Sequence, residues 1–149
     1  MPGLPLKERR LRGLGWNARQ IASIGRRTML RQPTGENATA ATLTIGTSNA
    51  AVKYDAPLWR GVTGNSVRVA HIVAGNNTPL SVTRSGKDIT VNLATGAGGA
   101  ATSTAAQVAT AVNNTVATEN YVVASLPGTG ASTAVAAAMA PLASGTGGS

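Results

Sequence analysis

Side chains able to do chemistry are few in this chain, and they are scattered. The acids are Glu8, Glu36, Asp55, Asp88 and Glu119, and His71 is the only histidine. A Ser/His/Asp hydrolytic site would have to combine His71 with Asp55 or Asp88, and no nucleophile-elbow pattern is present. A metal site needs three or four ligands of suitable type, which one His and dispersed acids do not supply. There is no cysteine, which removes disulfides, thiolate metal sites and cysteine nucleophiles. His71 falls on the same alternating face as Val67, Val69 and Val73, so it reads as a strand histidine satisfied inside the fold. Gly96-Ala97-Gly98-Gly99 stands where a phosphate cradle would stand, before a helix. It lacks the Lys and following Ser/Thr of a P-loop and does not match GxGxxG, so it reads as a connection. We therefore expect no catalytic, cofactor or metal site, and a protein that is not an enzyme.

The residues with functional content are the cations. Lys7, Arg9, Arg10, Arg12, Arg19, Arg26, Arg27 and Arg31 lie within the first 32 positions against Glu8 alone, a local charge of +7 out of +8 for the chain. Arginines alone would give non-specific, salt-dependent phosphate contacts. Gln20, Ile21, Ala22 and Gly25 faintly echo the first helix and turn of a helix-turn-helix, but Arg26 to Gln32 is too short before Pro33 for a recognition helix. The interleaved Leu4, Leu6, Leu11, Leu14, Trp16, Ile21 and Leu30 exceed what an electrostatic tail needs. Arg and Trp are also favoured interface anchors. A docking arm on an acidic protein lattice fits best, with Arg9, Arg10, Arg12, Trp16, Arg19, Arg26 and Arg27 as contacts. A solvated end and a nucleic-acid contact are the alternatives.

The elements that must position these groups divide the 149 residues in two. Residues 1–36 form the basic arm, extended or helical: a short helix over 5–12 with Pro5 in its first turn, and a second over about 17–30 capped by Asn17. From residue 37 to 149 the composition turns to Ala, Thr, Gly and Val, and the apolar period becomes two. Leu43 and Ile45, Val52 and Tyr54, Val67 to Val73, Leu80 and Val82, and Ile89 to Leu93 each alternate with polar or small residues, the pattern of an antiparallel sheet with one buried face. Ser85-Gly86-Lys87-Asp88 should turn a hairpin pairing 80–84 with 89–94. Thr104 and Gln107 make a capping box that opens a helix over 104–116, with Val108, Val112 and Val116 as its apolar stripe. Tyr121 to Ala124 is another strand, Ala131–Met139 fits helix or strand, and Gly145–Ser149 is expected to be a flexible tail. The predicted fold is mainly β with one packed helix (α+β), an antiparallel β-sandwich-like module preceded by the arm. With no Phe and a core of Ala and Val, little area is buried per side chain, so self-association should add burial. No apolar run reaches the roughly 18 residues of a membrane span, and no apolar segment of a signal peptide follows the basic start.

The module resembles virion proteins of tailed bacteriophages. The resemblance rests on Ala41 to Gly46, Gly64 to Val69, Leu80 to Arg84, Ile89 to Ala94 and the helix Ser103 to Asn113. Pro141-Leu142-Ala143-Ser144-Gly145-Thr146-Gly147 is similar to the Leu-Ala-Gly-Gly-Thr-Asp-Gly ending of tail-sheath-like domains, with Ser144 in place of a Gly and Gly147 in place of the Asp. It covers roughly three quarters of the chain, and a full sheath protein is much longer. Short length and a basic arm are similar to small capsid decoration or minor capsid proteins. The resemblance implies a virion protein on the capsid surface, made in the host cytoplasm, that binds the major capsid protein and itself, as a trimer. It also implies two alternatives: a head–tail connector or tail component, and, from another class, a small DNA-binding protein. Gly13, Gly15 and Gly25 break up any isolated helix in the arm, so a peptide of residues 1–35 should give a coil-like circular dichroism spectrum in buffer. Strong helix in that spectrum would contradict an arm that orders only on docking.

Overall fold

The computed structural model describes residues 37–148. The expected basic arm over residues 1–36, with its two helices, and Ser149 lie outside the described residues. Within them the chain is mainly β with one packed α-helix, an α+β, β-sandwich-like arrangement of two sheets. The strands are β1 (Thr42–Ile45), β2 (Val52–Asp55), β3 (Arg68–Ile72), β4 (Ser81–Ser85), β5 (Asp88–Asn92), β6 (Val123–Ser125) and β7 (Ala137–Pro141). One sheet has the order β1-β2-β6 and the other β4-β5-β3-β7. The α-helix, α1 (Ala105–Asn114), packs against β6, β2 and β4 and so touches both. A single apolar cluster joins the layers: Val52 and Tyr54 from the first sheet, Val69, Ile89 and Val91 from the second, and Val108 and Val112 from α1.

The alternating pattern places these strands well. In β2 Val52 and Tyr54 are buried while Lys53 and Asp55 lie at the surface and pair with each other at 2.8 Å. Gly86 and Lys87 make the two-residue turn between β4 and β5, with Gly86 at φ 60° in the first turn position, as the hairpin reading requires. One pairing departs from the antiparallel expectation: β3 runs parallel to β5, so the second sheet is mixed. Burial accounts for the order of the strands in this sheet. Ile89, Val91 and Leu93 are fully enclosed, so β5 takes an interior position. Ser81, Thr83 and Ser85 face solvent, which suits β4 to the edge. The parallel register sets Arg68 beside Asp88, and two guanidinium bonds join them, one from Arg68 Nε at 2.6 Å.

The capping box forms as predicted, with Gln107 N–H donating to Thr104 Oγ1 and Thr104 N–H donating to Gln107 Oε1. The helix is shorter than expected and Val116 leaves the stripe, 82 % exposed. Thr115 takes extended φ/ψ, and the buried Thr118 hydroxyl bonds the Val112 and Thr115 carbonyls, satisfying groups the next helical turn would have used. Asn113, meanwhile, bonds both the N–H and the carbonyl of Ala124 in β6.

Of the two alternatives for Ala131–Met139 the strand is found: the segment leads into β7, which pairs with β3 across a bulge between Val69 and His71. The end of the chain corrects the sequence reading. The Gly145–Ser149 tail, expected to be flexible, is held as far as it is described. Thr42 exchanges backbone bonds with Ala143, and Thr39 with Thr146, so this segment is tied to the start of β1 and to the residues before it. Asn65 bonds both the N–H and the carbonyl of Gly145, and Val62 N–H donates to Gly147 at 2.9 Å. Residues 142–147 therefore close the module through isolated bridges and side-chain bonds.

Gly61 makes that closure possible. It sits at φ 43°, ψ −124°, between two short 3-10 turns of Leu58–Ser66, and a Cβ there would fall 1.9 Å from the Gly147 carbonyl oxygen. Gly61→Ala should lower unfolding stability by about 2–4 kcal/mol, combining backbone strain and overpacking. Urea unfolding checks this, and a loss below about 0.5 kcal/mol would contradict the close approach.

Candidate interaction surface

His71 and its possible partners are separated by the fold. His71 is 2 % exposed, at the interface between the sheets. Its Nε2 lies 2.6 Å from the Tyr54 hydroxyl of β2 and its Nδ1 lies 3.0 Å from the Val135 carbonyl. A carbonyl can only accept, so Nδ1 carries the proton, Nε2 accepts, and Tyr54 donates. The rings meet edge-on, with centroids 5.8 Å apart. Asp55 and Asp88, the carboxylates a triad would need, are engaged by Lys53 and Arg68. Burial lowers the His71 pKa, partly opposed by the Val135 hydrogen bond, and burial raises that of Tyr54. Arg68 is pushed upward by the hydrogen bond and charge of Asp88.

The glycine segment is closed by its own backbone. Gly96 N–H donates to Ala100, Gly99 N–H to Gly96, and Thr95 bonds across to Gly75 and Thr78. Among the described residues no group of three or more His, Asp or Glu could hold a metal ion.

The surface feature with chemical content is a ladder of alternating aromatic and guanidinium groups. The Arg60 guanidinium stacks 4.6 Å from the Trp59 ring centroid and 4.2 Å from that of Tyr121, and Arg84 stacks 4.4 Å from Tyr121. Three segments supply it. Leu58–Ser66 carries Trp59 and Arg60, and Thr63 Oγ1 ties back to the Arg60 carbonyl at 2.7 Å. The edge strand β4 carries Arg84. Tyr121 follows the 3-10 turn Val116–Thr118 and its N–H donates to Thr118 at 2.8 Å. Backbone carbonyls fix the arginines: Arg60 Nε donates to Asn120, and Arg84 donates to Ala117 and Gly86. Beside the ladder in the same segment, Leu58, Trp59 and Val62 are 58 %, 56 % and 55 % exposed.

Of the sites read from sequence, Arg9, Arg10, Arg12, Trp16, Arg19, Arg26 and Arg27 all lie outside the described residues. The ladder was not read from sequence. Positions 59, 60, 84 and 121 share no local spacing; the available signal was Pro57-Leu58-Trp59-Arg60, an apolar pair with a cation outside every alternating run. Among the described residues no helix is long and apolar enough to cross a membrane. Compared with protein-family models, curated proteins and solved structures, the chain matches none.

The buried His71 gives a pH dependence. The unfolded chain takes a proton near the ordinary value of 6.5 and the folded chain resists it, so unfolded molecules bind more protons below that pH. Stability should be full above about pH 6.5 and fall as the pH drops toward the lowered folded value. Urea midpoints from pH 8 to 5 check this. His71→Leu should flatten the profile and cost about 1–3 kcal/mol at pH 8, because Tyr54 loses its acceptor. A wild-type profile already flat from pH 7 to 5 would refute the assignment.

Proposed function

We propose that the chain is a virion structural protein of a tailed bacteriophage, a capsid decoration or minor capsid protein that binds and stabilises the head shell. One observation carries the reading: +7 of the +8 net charge sits in residues 1–32, interleaved with Leu, Ile and Trp, ahead of a nearly neutral Ala/Thr/Val module. Capsid exteriors are commonly acidic, so such an arm has an electrostatic reason to lie along them. The arm would bridge neighbouring capsomers through Arg9, Arg10, Arg12, Trp16, Arg19, Arg26 and Arg27. The module would associate with copies of itself, as a trimer, and project outward. A core built largely from Val and Ala supports self-association, because it buries limited area per side chain. The resemblance of the closing segment to sheath domains favours a second reading, a connector or tail component. The arginines of the arm leave a third, a small DNA-binding protein.

Counting copies per purified particle by quantitative mass spectrometry, against the major capsid protein, separates these. Hundreds of copies in simple ratio to capsid subunits are expected. A count near six or twelve would move the protein to the neck or tail. Absence from particles would overturn the virion reading and put nucleic-acid binding first.

A further inference from the structure

We propose that the Trp59–Arg60–Tyr121–Arg84 ladder is a second docking surface, on the β module, that receives an acidic segment of a partner protein. The inference is independent of the arm and of the virion reading. Charge allocation is the first argument. Of the five cations among the described residues, Lys53 and Arg68 have carboxylate partners and Lys87 bonds the Ser66 hydroxyl. Arg60 and Arg84 are instead brought onto one ring, and among the described residues no carboxylate pairs with either. Two like charges held on a shared ring repel each other, and an anion placed between them relieves that repulsion.

Pre-organisation is the second argument. The Nε of each arginine is held by a main-chain carbonyl, which orients the planar fork. Among the described residues neither Nη of Arg60, nor Nη2 of Arg84, has a hydrogen-bond acceptor. These are the donors that grip a carboxylate. Little side-chain entropy remains to be lost on binding, because ring and carbonyl already fix each chain.

The neighbouring apolar groups select the class of partner. Leu58, Trp59 and Val62 are each more than half exposed in the same segment as Arg60. Apolar anchors beside guanidinium forks suit a protein segment that alternates acids with apolar side chains, and Trp, Tyr and Arg are the types that dominate protein-interface energetics. A phosphate backbone would use the arginines and leave Leu58 and Val62 without a role.

The test uses the full chain with poly-L-glutamate as probe, and a single-stranded 20-mer oligonucleotide in parallel. Trp16→Phe leaves Trp59 as the sole tryptophan emitter, and the Arg60 and Arg84 Nε resonances report from the unsubstituted chain. Poly-L-glutamate should shift the Trp59 emission and both Nε resonances. Arg60→Gln with Arg84→Gln, in the Trp16→Phe background, should weaken that Trp59 response tenfold or more. Binding of poly-L-glutamate that leaves Trp59 and both resonances unmoved would overturn the proposal, since the arm would then account for all of it. An oligonucleotide that moves the same signals at tenfold lower concentration would overturn it in favour of a nucleic-acid surface. If the double variant does not fold, the Nε resonances of the unsubstituted chain still decide.

Discussion

A single hydrogen bond inside the core ties the two sheets together: the Tyr54 hydroxyl of β2 donates to the His71 ring of β3 at 2.6 Å. Both side chains are almost wholly enclosed, so neither can fall back on water. Leaving either polar group unmatched would carry the desolvation penalty of a buried donor or acceptor. The Val135 carbonyl completes the set by accepting from the other ring nitrogen, which fixes the segment before β7 as well. Two strands of different sheets and one connecting segment must therefore adopt mutually consistent positions. No buried side-chain polar atom among the described residues lacks a partner, so the constraint is fully met.

Around that bond the core is built mostly from Val, Ala, Ile and Leu, with Tyr54 its largest fully buried side chain. Small side chains bring backbones close together, and much of the module is consequently held by main-chain bonds and side-chain amides. Asn65 and Asn113 each act as an extra strand residue, bonding both sides of one peptide position in Gly145 and Ala124. The closing segment, residues 142–147, bonds Thr42 at the start of β1 and Thr39 before it, and lies close over Gly61. The first residue of that sheet edge is thereby paired. The opposite solution appears at β4, whose outward residues are Ser, Thr and Ser.

Surface charge is divided between two uses. Lys53 with Asp55, two residues apart on one face of β2, and Arg68 with Asp88, neighbours by strand register, are surface ion pairs, and such pairs contribute little to stability. Arg60 and Arg84 are held instead by an aromatic ring and by carbonyls, and among the described residues no carboxylate pairs with either. Together with the cation-rich first 32 residues, this suits a protein whose business is attachment, in line with the proposed structural role and the proposed acidic partner.

What the sequence determined by itself was local. Period-two alternation identified the strands, Gly86 the hairpin turn, Thr104 with Gln107 the helix start, and the face shared with Val67 and Val69 the inward position of His71. Each of these is fixed by residues a few positions apart, through backbone sterics and side-chain direction. What it did not contain was the partner of each element. Alternation marks a strand's buried face but neither its neighbour nor its direction, so the parallel pairing of β3 with β5 appeared only in the tertiary structure. Val116 looked like a helix position until the Thr118 hydroxyl took the Val112 carbonyl and Asn113 bonded Ala124 in β6. Gly145 and Thr146 looked like loose chain because the residues that bind them, Asn65 and Thr39, are far away in sequence. The ladder was invisible for the same reason: Trp59 and Arg60, Arg84 and Tyr121 come from three segments, and only the packing of α1 and its following turn beside the β4 edge brings them onto one another.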